Sequence, residues 1–438
     1  MRHRVIPPFL INSLLLLLLG VALLALTGCA ATKGGWLSPV YPEQAIERQR
    51  FAMGDSDDVI GRLAIVRATE GDTLPDLARH FSLGINAIRA ANPGVDLWGP
   101  KEGERITLPL TFILPDAPRS GIVVNLATMR LFHFKEANGA VTVTTYPVGV
   151  GTKERPTPTG QMHVARKAYL PTWYVPASIA EDHRKKGEPL PAQVPPGPEN
   201  PLGEYALYLS KPGYLIHGTN KPASIGLNAS NGCLRLYPES IETLYRDTPV
   251  NTPVLIVNQP YLVGERDGVL YLEAHAPAEG SNSGQATSLT GRLMEFERAS
   301  GRALDWTKVR QVLAEARGIP VPLLELRRGA AKALPPAMEI AHPDTLYGKP
   351  DLPALRLDAW YVLAGELEDE MEAKRMAAII NHQGPPIPAR VMARLTRSSG
   401  YRVVAGPFND AGAARGAARR LKIDLDLDGI VIEPVGKL

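Results

Sequence analysis

Cysteine is nearly absent from this chain. Among its 438 residues only Cys29 and Cys233 are cysteine, and Cys29 closes an apolar N-terminal segment. If that segment is processed, Cys233 is the only thiol left in the folded part of the chain, which excludes an intramolecular disulfide there. Cysteine usage therefore does not identify the compartment, and the single remaining thiol becomes the residue to explain.

A strong excess of one charge is also missing. The chain has 48 basic and 45 acidic residues, a formal net charge of +3, and residues 1–28 contain arginines but no acid. Without that segment the net charge is about +1, far from the basic footprint of a nucleic-acid-binding protein. Hydrophobic residues make up 45% and charged residues 21%, as in globular proteins, and the length predicts about two to four domains.

The N-terminus predicts a lipoprotein signal peptide over residues 1–28. Basic residues 2–4 precede a leucine-rich apolar run over 9–26, and Leu-Thr-Gly-Cys closes it at Cys29. This ending resembles the bacterial lipobox, in which the cysteine is lipidated. The alternative is an uncleaved transmembrane anchor. Because Ala30 follows the cysteine, resemblance to sorted Gram-negative lipoproteins predicts a periplasmic protein anchored to the outer membrane through Cys29.

Cys233 lies in a setting that is unusual for a core cysteine. Residues 230–235 are Ser-Asn-Gly-Cys-Leu-Arg, and His217 stands 16 residues upstream, directly before a glycine. A thiol and an upstream histidine are what a nucleophile and its base require. The preceding Ser, Asn and Gly are typical of a turn, and Arg235 places a cation nearby. This pattern predicts a reactive cysteine with a lowered thiol pKa.

The same residues resemble the L,D-transpeptidases with a YkuD-like catalytic domain. The resemblance rests on His-Gly-Thr at 217–219, Ile-Gly at 225–226 and Ser-x-Gly-Cys-x-Arg at 230–235. It implies a thiol nucleophile, a histidine base oriented by a backbone carbonyl, and an oxyanion hole of backbone N–H groups around residues 232–233. The implied catalytic residues are Cys233, His217, Gly218 and Gly232, and the implied substrate-binding residues are Arg235, Ser230, Asn231 and Thr219.

The implied reaction is acyl transfer on peptidoglycan with no cofactor and no metal. Cys233 releases D-alanine from a stem peptide as a thioester forms, and an amine then takes the acyl group. That amine belongs either to a wall peptide or to an outer-membrane lipoprotein, while water as acceptor gives a carboxypeptidase. Many relatives carry histidine where this chain has Asn231, so a non-catalytic wall-binding adaptor is an alternative, opposed by intact Cys233, His217 and Arg235.

Two domains are predicted before and at the catalytic motif. Residues 29–60 lack periodicity and predict a tether. Residues 64–110 predict β-α-α-β with a helix cap at Thr73, and Gly-Asp-Thr-Leu, Asn-Pro and Ile-Thr-Leu-Pro there resemble a glycan-binding LysM module. Short strands over 120–258 predict an all-β, antiparallel sandwich or barrel-like catalytic domain. Within it, residues 170–203 contain eight prolines and predict either a lid or a passive insert.

Two further segments complete the predicted multidomain, mainly β chain. Residues 259–355 are expected to form a linker, with Gly-Ser-Asn-Ser-Gly at 280–284, and a helix over 306–316 that packs back on the catalytic domain. Residues 356–436 predict β-α-β-β-α-β. Tyr-Val-Leu-Ala-Gly at 361–365 and its counterpart at 401–408 resemble an α/β ferredoxin-like SPOR domain, a family that binds peptidoglycan glycan. The alternative is a ferredoxin-like domain without a glycan role.

Overall fold

The computed structural model describes residues 49–53, 58–137, 139–185, 187, 189–276, 282–325, 337–393 and 400–434. The expected signal peptide over 1–28, the lipidation site Cys29 and the tether up to residue 48 lie outside the described residues. Within the described ranges, every helix is too short or too polar to cross a bilayer.

The helices and strands of the described residues are numbered here in chain order. The helices are α1 (Leu74–His80), α2 (Ile85–Ala91), α3 (Ala177–Lys185), α4 (Pro238–Asp247), α5 (Asn282–Ser300), α6 (Trp306–Glu315), α7 (Glu370–Asn381) and α8 (Ala411–Leu425), with a 3-10 turn at Pro222–Ser224. The strands are β1 (Arg50–Ala52), β2 (Val59–Gly61), β3 (Ala64–Arg67), β4 (Arg105–Leu108), β5 (Thr111–Ile113), β6 (Gly121–Asn125), β7 (Arg130–Ala137), β8 (Ala140–Pro147), β9 (Val150–Gly151), β10 (Gly160–Tyr169), β11 (Trp173–Tyr174), β12 (Gln193–Val194), β13 (Tyr205–Leu209), β14 (Leu215–His217), β15 (Asn228–Ser230), β16 (Leu234–Arg235), β17 (Pro253–Val257), β18 (Tyr261–Arg266), β19 (Val269–Ala274), β20 (Val321–Glu325), β21 (Met338–Glu339), β22 (Trp360–Leu367), β23 (Ala389–Ala393), β24 (Tyr401–Phe408) and β25 (Ile430–Ile432).

The predicted β-α-α-β order over 64–110 is present. Strands β3 and β4 pair antiparallel and flank α1 and α2. Thr73 caps α1, because its hydroxyl accepts the Asp76 N–H at 3.1 Å. Helix α2 ends at Ala91, with Asn92 of Asn-Pro-Gly as its C-cap, and such a sequence is a typical helix stop.

The segment expected to be a tether differs from that expectation at its C-terminal end. Strand β1 pairs antiparallel with β8, and β2 pairs antiparallel with β5. The reason is local hydrophobicity: Val59 and Ile60 are buried, and Phe51 packs on a core cluster. Short apolar pairs of this kind lack a visible period, so the sequence pattern missed them.

The catalytic region is built on one nine-stranded sheet with the order β1-β8-β7-β6-β17-β10-β13-β14-β16. The expectation of an antiparallel arrangement is wrong at two pairs. Strand β17 lies parallel to β6, and β16 lies parallel to β14. In both cases an intervening connection returns the chain in the same direction, and α4 lies in the connection before β17.

The two faces of this sheet bury different partners. Val123, Phe132 and Val143 point into a core shared with the β-α-α-β unit. Their neighbours Ile122, Val124 and Leu131 lie in a second core, together with apolar residues of β13, β14, β16 and α4. The alternation follows from the two-residue period of a strand. The buried apolar side chains of β14 and β16 anchor these two strands in the second core.

The segment 259–355 forms more than a linker. Strands β18, β19 and β20 make an antiparallel three-stranded sheet, and α5 already begins at Asn282 within the expected linker. Helix α6 buries Val309 and Val312 in the core of this small sheet rather than against the catalytic domain. The expected packing of this helix on the catalytic domain is therefore wrong. The apolar face of α6 packs on Leu270 and Leu272 of the small sheet, which lies closer in the chain.

The C-terminal region has the predicted β-α-β-β-α-β order. Its four strands pair antiparallel as β23-β24-β22-β25, and α7 and α8 pack on this sheet. Asp369 and Asp410 cap the two helices with their carboxylates, each of which accepts a backbone N–H at 2.8 Å.

Candidate active site

Parallel pairing of β14 with β16 brings the two motif halves together. His217 ends β14 and is register partner of Arg235, while Ile216 pairs with Leu234. Cys233 directly precedes β16 and therefore lies beside Leu215, at the start of β14. Ile216 and Leu234 are fully buried, so the apolar core fixes the positions of the polar residues that follow or precede them.

A tight turn holds the thiol. The Ser230 hydroxyl accepts the Gly232 N–H at 3.1 Å and donates to the Cys233 carbonyl at 2.6 Å. Gly232 has φ +103°, and a Cβ there would lie 2.8 Å from a ring carbon of Tyr214. Only glycine fits this conformation and this close approach. The Gly232 N–H donates to Ser230 and so is not free to bind an oxyanion. The Cys233 N–H is then the candidate donor in this turn.

A hydrogen bond to a backbone carbonyl orients His217. Its Nδ1 lies 2.6 Å from the Gly218 carbonyl oxygen. A carbonyl can only accept, so Nδ1 carries the proton and Nε2 is unprotonated in the neutral ring. Burial lowers the pKa of His217 to about 3, with Arg235 acting in the same direction and the Gly218 and Leu202 carbonyls opposing it. The resting imidazole is therefore a neutral base.

The expectation of a lowered thiol pKa is wrong for the resting structure. Burial raises the pKa of Cys233. A backbone hydrogen bond at Leu215 and the charge of Arg235 lower it, but they offset only part of the effect of burial. The sulfur donates to the Gly213 carbonyl at 3.6 Å. The sequence showed the nearby cation but not the burial, and burial dominates.

Asn231 takes part in a bridge across the site. Its Oδ1 accepts from Arg155 Nη1 at 2.7 Å, and Arg155 also pairs with Asp182 of α3. Helix α3 has no buried residue, so this bridge is a visible tie between the 170–203 segment and the nucleophile turn. Asn231 therefore has a hydrogen-bond partner of its own at the site.

A cavity of about 990 Å³ opens over these residues. The predicted residues that line it are His217, Ser230, Asn231, Cys233 and Arg235. Segment 170–203, in which α3 lies between the paired strands β11 and β12, supplies much of another wall. This placement favours the lid interpretation of the segment over a passive insert.

Three other predicted residues act from outside the cavity lining. Gly218 supplies the carbonyl that orients His217, and Gly232 shapes the turn. Thr219 is buried, and its hydroxyl accepts the Lys221 N–H at 2.9 Å. The structure thus gives Thr219 a role in the loop, and its contact with substrate stays a prediction.

Arg235 remains suited to an anionic group. Its backbone N–H and carbonyl exchange two hydrogen bonds of 2.9 Å with Gly149, which fixes the residue beside Cys233. Its side-chain Nε is buried and lacks a hydrogen-bond partner in the described part of the chain. An unpaired guanidinium N–H at a cavity can donate to a carboxylate or to a developing oxyanion.

Sequence reasoning missed two residues of the site. Arg155 is 76 residues from Asn231 in the chain, and Tyr214 packs its ring where a side chain at position 232 would lie. Neither residue belongs to the motif. The one signal for Arg155 was its position between Pro-Val-Gly-Val-Gly at 147–151 and Thr-Pro-Thr-Gly at 157–160.

A buried histidine with a fixed tautomer and a thiol on a glycine turn lie on one mixed sheet and line one cavity. Residues 119–256 match the model of the L,D-transpeptidase catalytic domain, YkuD, and residues 357–433 match the SPOR domain. The chain belongs to the L,D-transpeptidase family, and it is an enzyme of that class.

Three relatives show how far the likeness extends. "Probable L,D-transpeptidase YbiS" of Escherichia coli K12 is 36% identical over 277 residues, which is 61% of this chain and 90% of that protein. "Probable L,D-transpeptidase ErfK/SrfK" of Salmonella typhimurium LT2 is 36% identical over 67% of this chain and 99% of its own length. "Probable L,D-transpeptidase YcfS" of Escherichia coli K12 reaches 40% over 48% of this chain and 66% of that protein.

Proposed function

We propose that Cys233 forms a thioester with a peptidoglycan stem peptide and passes the acyl group to an amine. The thiolate attacks the carbonyl between the L-centre of the diamino acid and the terminal D-alanine. The C–N bond breaks, D-alanine leaves as the amine, and the acyl group stays on sulfur. An incoming amine then attacks the thioester, forms the new amide and releases the thiol.

His217 carries the protons in both halves of this reaction. Its unprotonated Nε2 takes the thiol proton and returns it to the leaving D-alanine nitrogen. In the second half it accepts a proton from the attacking amine and returns one to the sulfur. The Cys233 N–H is the backbone donor proposed for the oxyanion, since the Gly232 N–H already bonds to Ser230.

The observation that carries the proposal is the His217 tautomer set by Gly218 beside the Cys233 turn. The test is to incubate purified wall with the soluble chain and to identify the muropeptides by mass. New peptide crosslinks support transfer to a wall amine. Attachment of a lysine-bearing lipoprotein supports the second acceptor, and loss of D-alanine without transfer indicates a carboxypeptidase.

The surrounding domains are proposed to keep the enzyme at the wall. The β-α-α-β unit is proposed to be a LysM module and, with the SPOR domain, to bind glycan independently of Cys233. Pelleting of each unit with insoluble sacculi tests this, and absence of both from the pellet contradicts it. Cys29 is proposed to be the lipid anchor in the outer membrane. Cys29→Ala should then leave an unprocessed precursor in the inner membrane, detectable by fractionation.

A further inference from the structure

The C-terminal domain supplies part of the wall around the active-site cavity. Its residues Gly384, Pro385, Arg420 and Asp424 line the same cavity as Cys233 and His217. The first two follow α7, and the other two lie on α8. The cavity of this enzyme is therefore formed by two domains, although the motif lies entirely in one of them.

Close contacts attach this wall to the loop after Thr219. A Cβ built on Gly384 would overlap the Asn220 carbonyl oxygen and would lie 2.8 Å from the Lys221 Cα, so the backbones approach as only glycine allows. Asp424 pairs with Lys221 Nζ at 3.6 Å. The C-terminal domain is thus seated directly on the catalytic domain next to the cavity.

A second contact fixes the same domain from another side. Arg375 of α7 donates to Asp96 at 2.6 Å, and His382 Nε2 lies 3.1 Å from an oxygen of Asp76 in the β-α-α-β unit. The rings of His382 and Trp98 lie 5.2 Å apart. The C-terminal domain is thus held on two sides, through Asp424 of α8 and through Arg375 and His382 at α7. These contacts fix the position of Arg420 at the cavity.

Arg420 presents a cation to this cavity. It is half-buried, and its Nη2 donates to the Pro385 carbonyl. Burial lowers its pKa, opposed by the nearby carboxylates of Glu199 and Asp424, yet a guanidinium stays charged at neutral pH. Among the described contacts one of its five N–H donors is used, which leaves the group able to bind a ligand.

Neighbouring charges do not already neutralise Arg420 completely. Asp424 is shared with Lys221, and Glu199 is exposed to solvent, where its field is weakened. Arg155, another cation of the lining, is engaged by Asn231 and Asp182. Arg166 also lines the cavity, but it is exposed and stacks on the ring of Tyr208. Among the described lining residues, Arg420 and Arg235 are therefore the half-buried guanidinium groups that other side chains do not engage.

We propose that Arg420 is a specificity-determining residue that binds a free carboxylate of the stem peptide in the cavity. The inference rests on the proposed function, which supplies a peptide donor with carboxylates at its terminal D-alanine and on diaminopimelate. Charge-assisted hydrogen bonds from arginine to a carboxylate contribute enough to change peptide affinity by about 10- to 100-fold. The SPOR domain then takes part in peptide selection as well.

The test uses the complete chain and compares Arg420→Gln with Arg419→Gln, an exposed residue on the same helix. Arg420→Gln should raise KM for a stem tetrapeptide donor by about 10- to 100-fold and should change kcat by less than about twofold. Arg419→Gln should leave both unchanged, and Arg420→Lys should restore part of the affinity. Alkylation of Cys233 by iodoacetamide should proceed at the wild-type rate in all variants.

Two modified donors identify the carboxylate. One is amidated on the diaminopimelate side chain, the other on the terminal D-alanine. The donor that has lost the bound carboxylate should show a raised KM with the wild type and no further rise with Arg420→Gln. Full sensitivity of both donors to Arg420→Gln overturns the proposal, as does a loss of kcat at unchanged KM.

Failure of this inference differs from failure of the proposed function. If the wild-type chain releases D-alanine and Arg420→Gln does so with the same KM, only the role of Arg420 is wrong. If the wild type releases no D-alanine from any donor, the proposed reaction is wrong, and the inference fails with it. Should Arg420→Gln not fold, Arg420→Lys and the amidated donors on wild type decide the question.

Discussion

Two of the walls of the cavity, the sheet wall and the α3 wall, are built by different physical means. On one wall, β14, β16 and the Ser230 turn are fixed by backbone hydrogen bonds and by buried apolar side chains such as Ile216 and Leu234. On the other wall, α3 has no buried residue, and Tyr174 of β11 is 73% exposed. Side-chain pairs of Arg155 tie this second wall to the first.

This difference between the walls suits two tasks: the sheet wall positions reacting groups, and the α3 wall contacts the substrate. Groups that must stay within hydrogen-bond reach of reacting atoms lie on the wall with a buried support. The wall with few buried contacts can open and close at small cost, as substrate entry requires. Substitutions on the sheet wall should therefore act on kcat, whereas substitutions on the α3 wall should act mainly on KM.

The largest effect is expected for Cys233→Ser. The hydroxyl is a poor nucleophile without strong activation, so D-alanine release should fall to the background rate. The side chain is half-buried and similar in size, so the thermal unfolding transition should be nearly unchanged. Mass analysis should also show that a carbapenem acylates the wild type at Cys233 and leaves the variant unmodified. Near wild-type release by Cys233→Ser would exclude this nucleophile.

His217→Ala should slow acylation by about 10²- to 10⁴-fold, which is the usual contribution of a positioned general base. KM should change little, because the ring acts on protons in the cavity rather than as an anchor for the peptide. Single-turnover release of D-alanine measures the step directly. A KM effect larger than the kcat effect would break the division between the two walls.

The pH dependence of thiol alkylation sharpens the same comparison. Since burial raises the pKa of Cys233, the thiolate fraction should grow about tenfold per pH unit from pH 6 to 8 and keep rising. Because the pKa of His217 is lowered to about 3, no second inflection is expected near pH 6.5. Iodoacetamide modification followed by intact mass gives the profile. If the alkylation rate already reached a plateau by pH 7, the thiol pKa would be low, as the sequence predicted.

Sequence reasoning was most successful where one local motif carries the information. The closeness of His217 and Cys233 and the order of elements over 64–110 and in the C-terminal domain were predictable, because glycine turns, caps and periodicity lie within a few residues of one another. The raised pKa of the Cys233 thiol was not predictable, because it depends on the burial of the side chain in the folded protein. The small sheet over 261–325 was missed because its third strand follows two helices.

A smaller effect is expected for Arg155→Ala. Loss of the bridge from Asn231 to Asp182 should free α3 and raise KM by a few-fold, because partly exposed ion pairs contribute only about 0.2–1 kcal/mol. Asp182→Asn should give a similar change, and Glu181→Gln on the same helix is a matched control. Hydrogen exchange should quicken over 177–185 in the first two variants. Unchanged exchange there would show that Arg155 does not hold this wall.

The smallest effect should come from Asn231→His, which introduces the residue that many relatives carry. In the proposed mechanism His217 supplies the base, with its tautomer set by Gly218, so a second imidazole should add little to the proton transfers. A neutral ring can also accept the Arg155 hydrogen bond that Asn231 accepts at 2.7 Å. Turnover should stay within about threefold of wild type, since exposed polar exchanges are worth little. A rise of several orders of magnitude would show that the sheet wall of this enzyme is incomplete and that Asn231 is a defect in the chemistry rather than part of the bridge to α3.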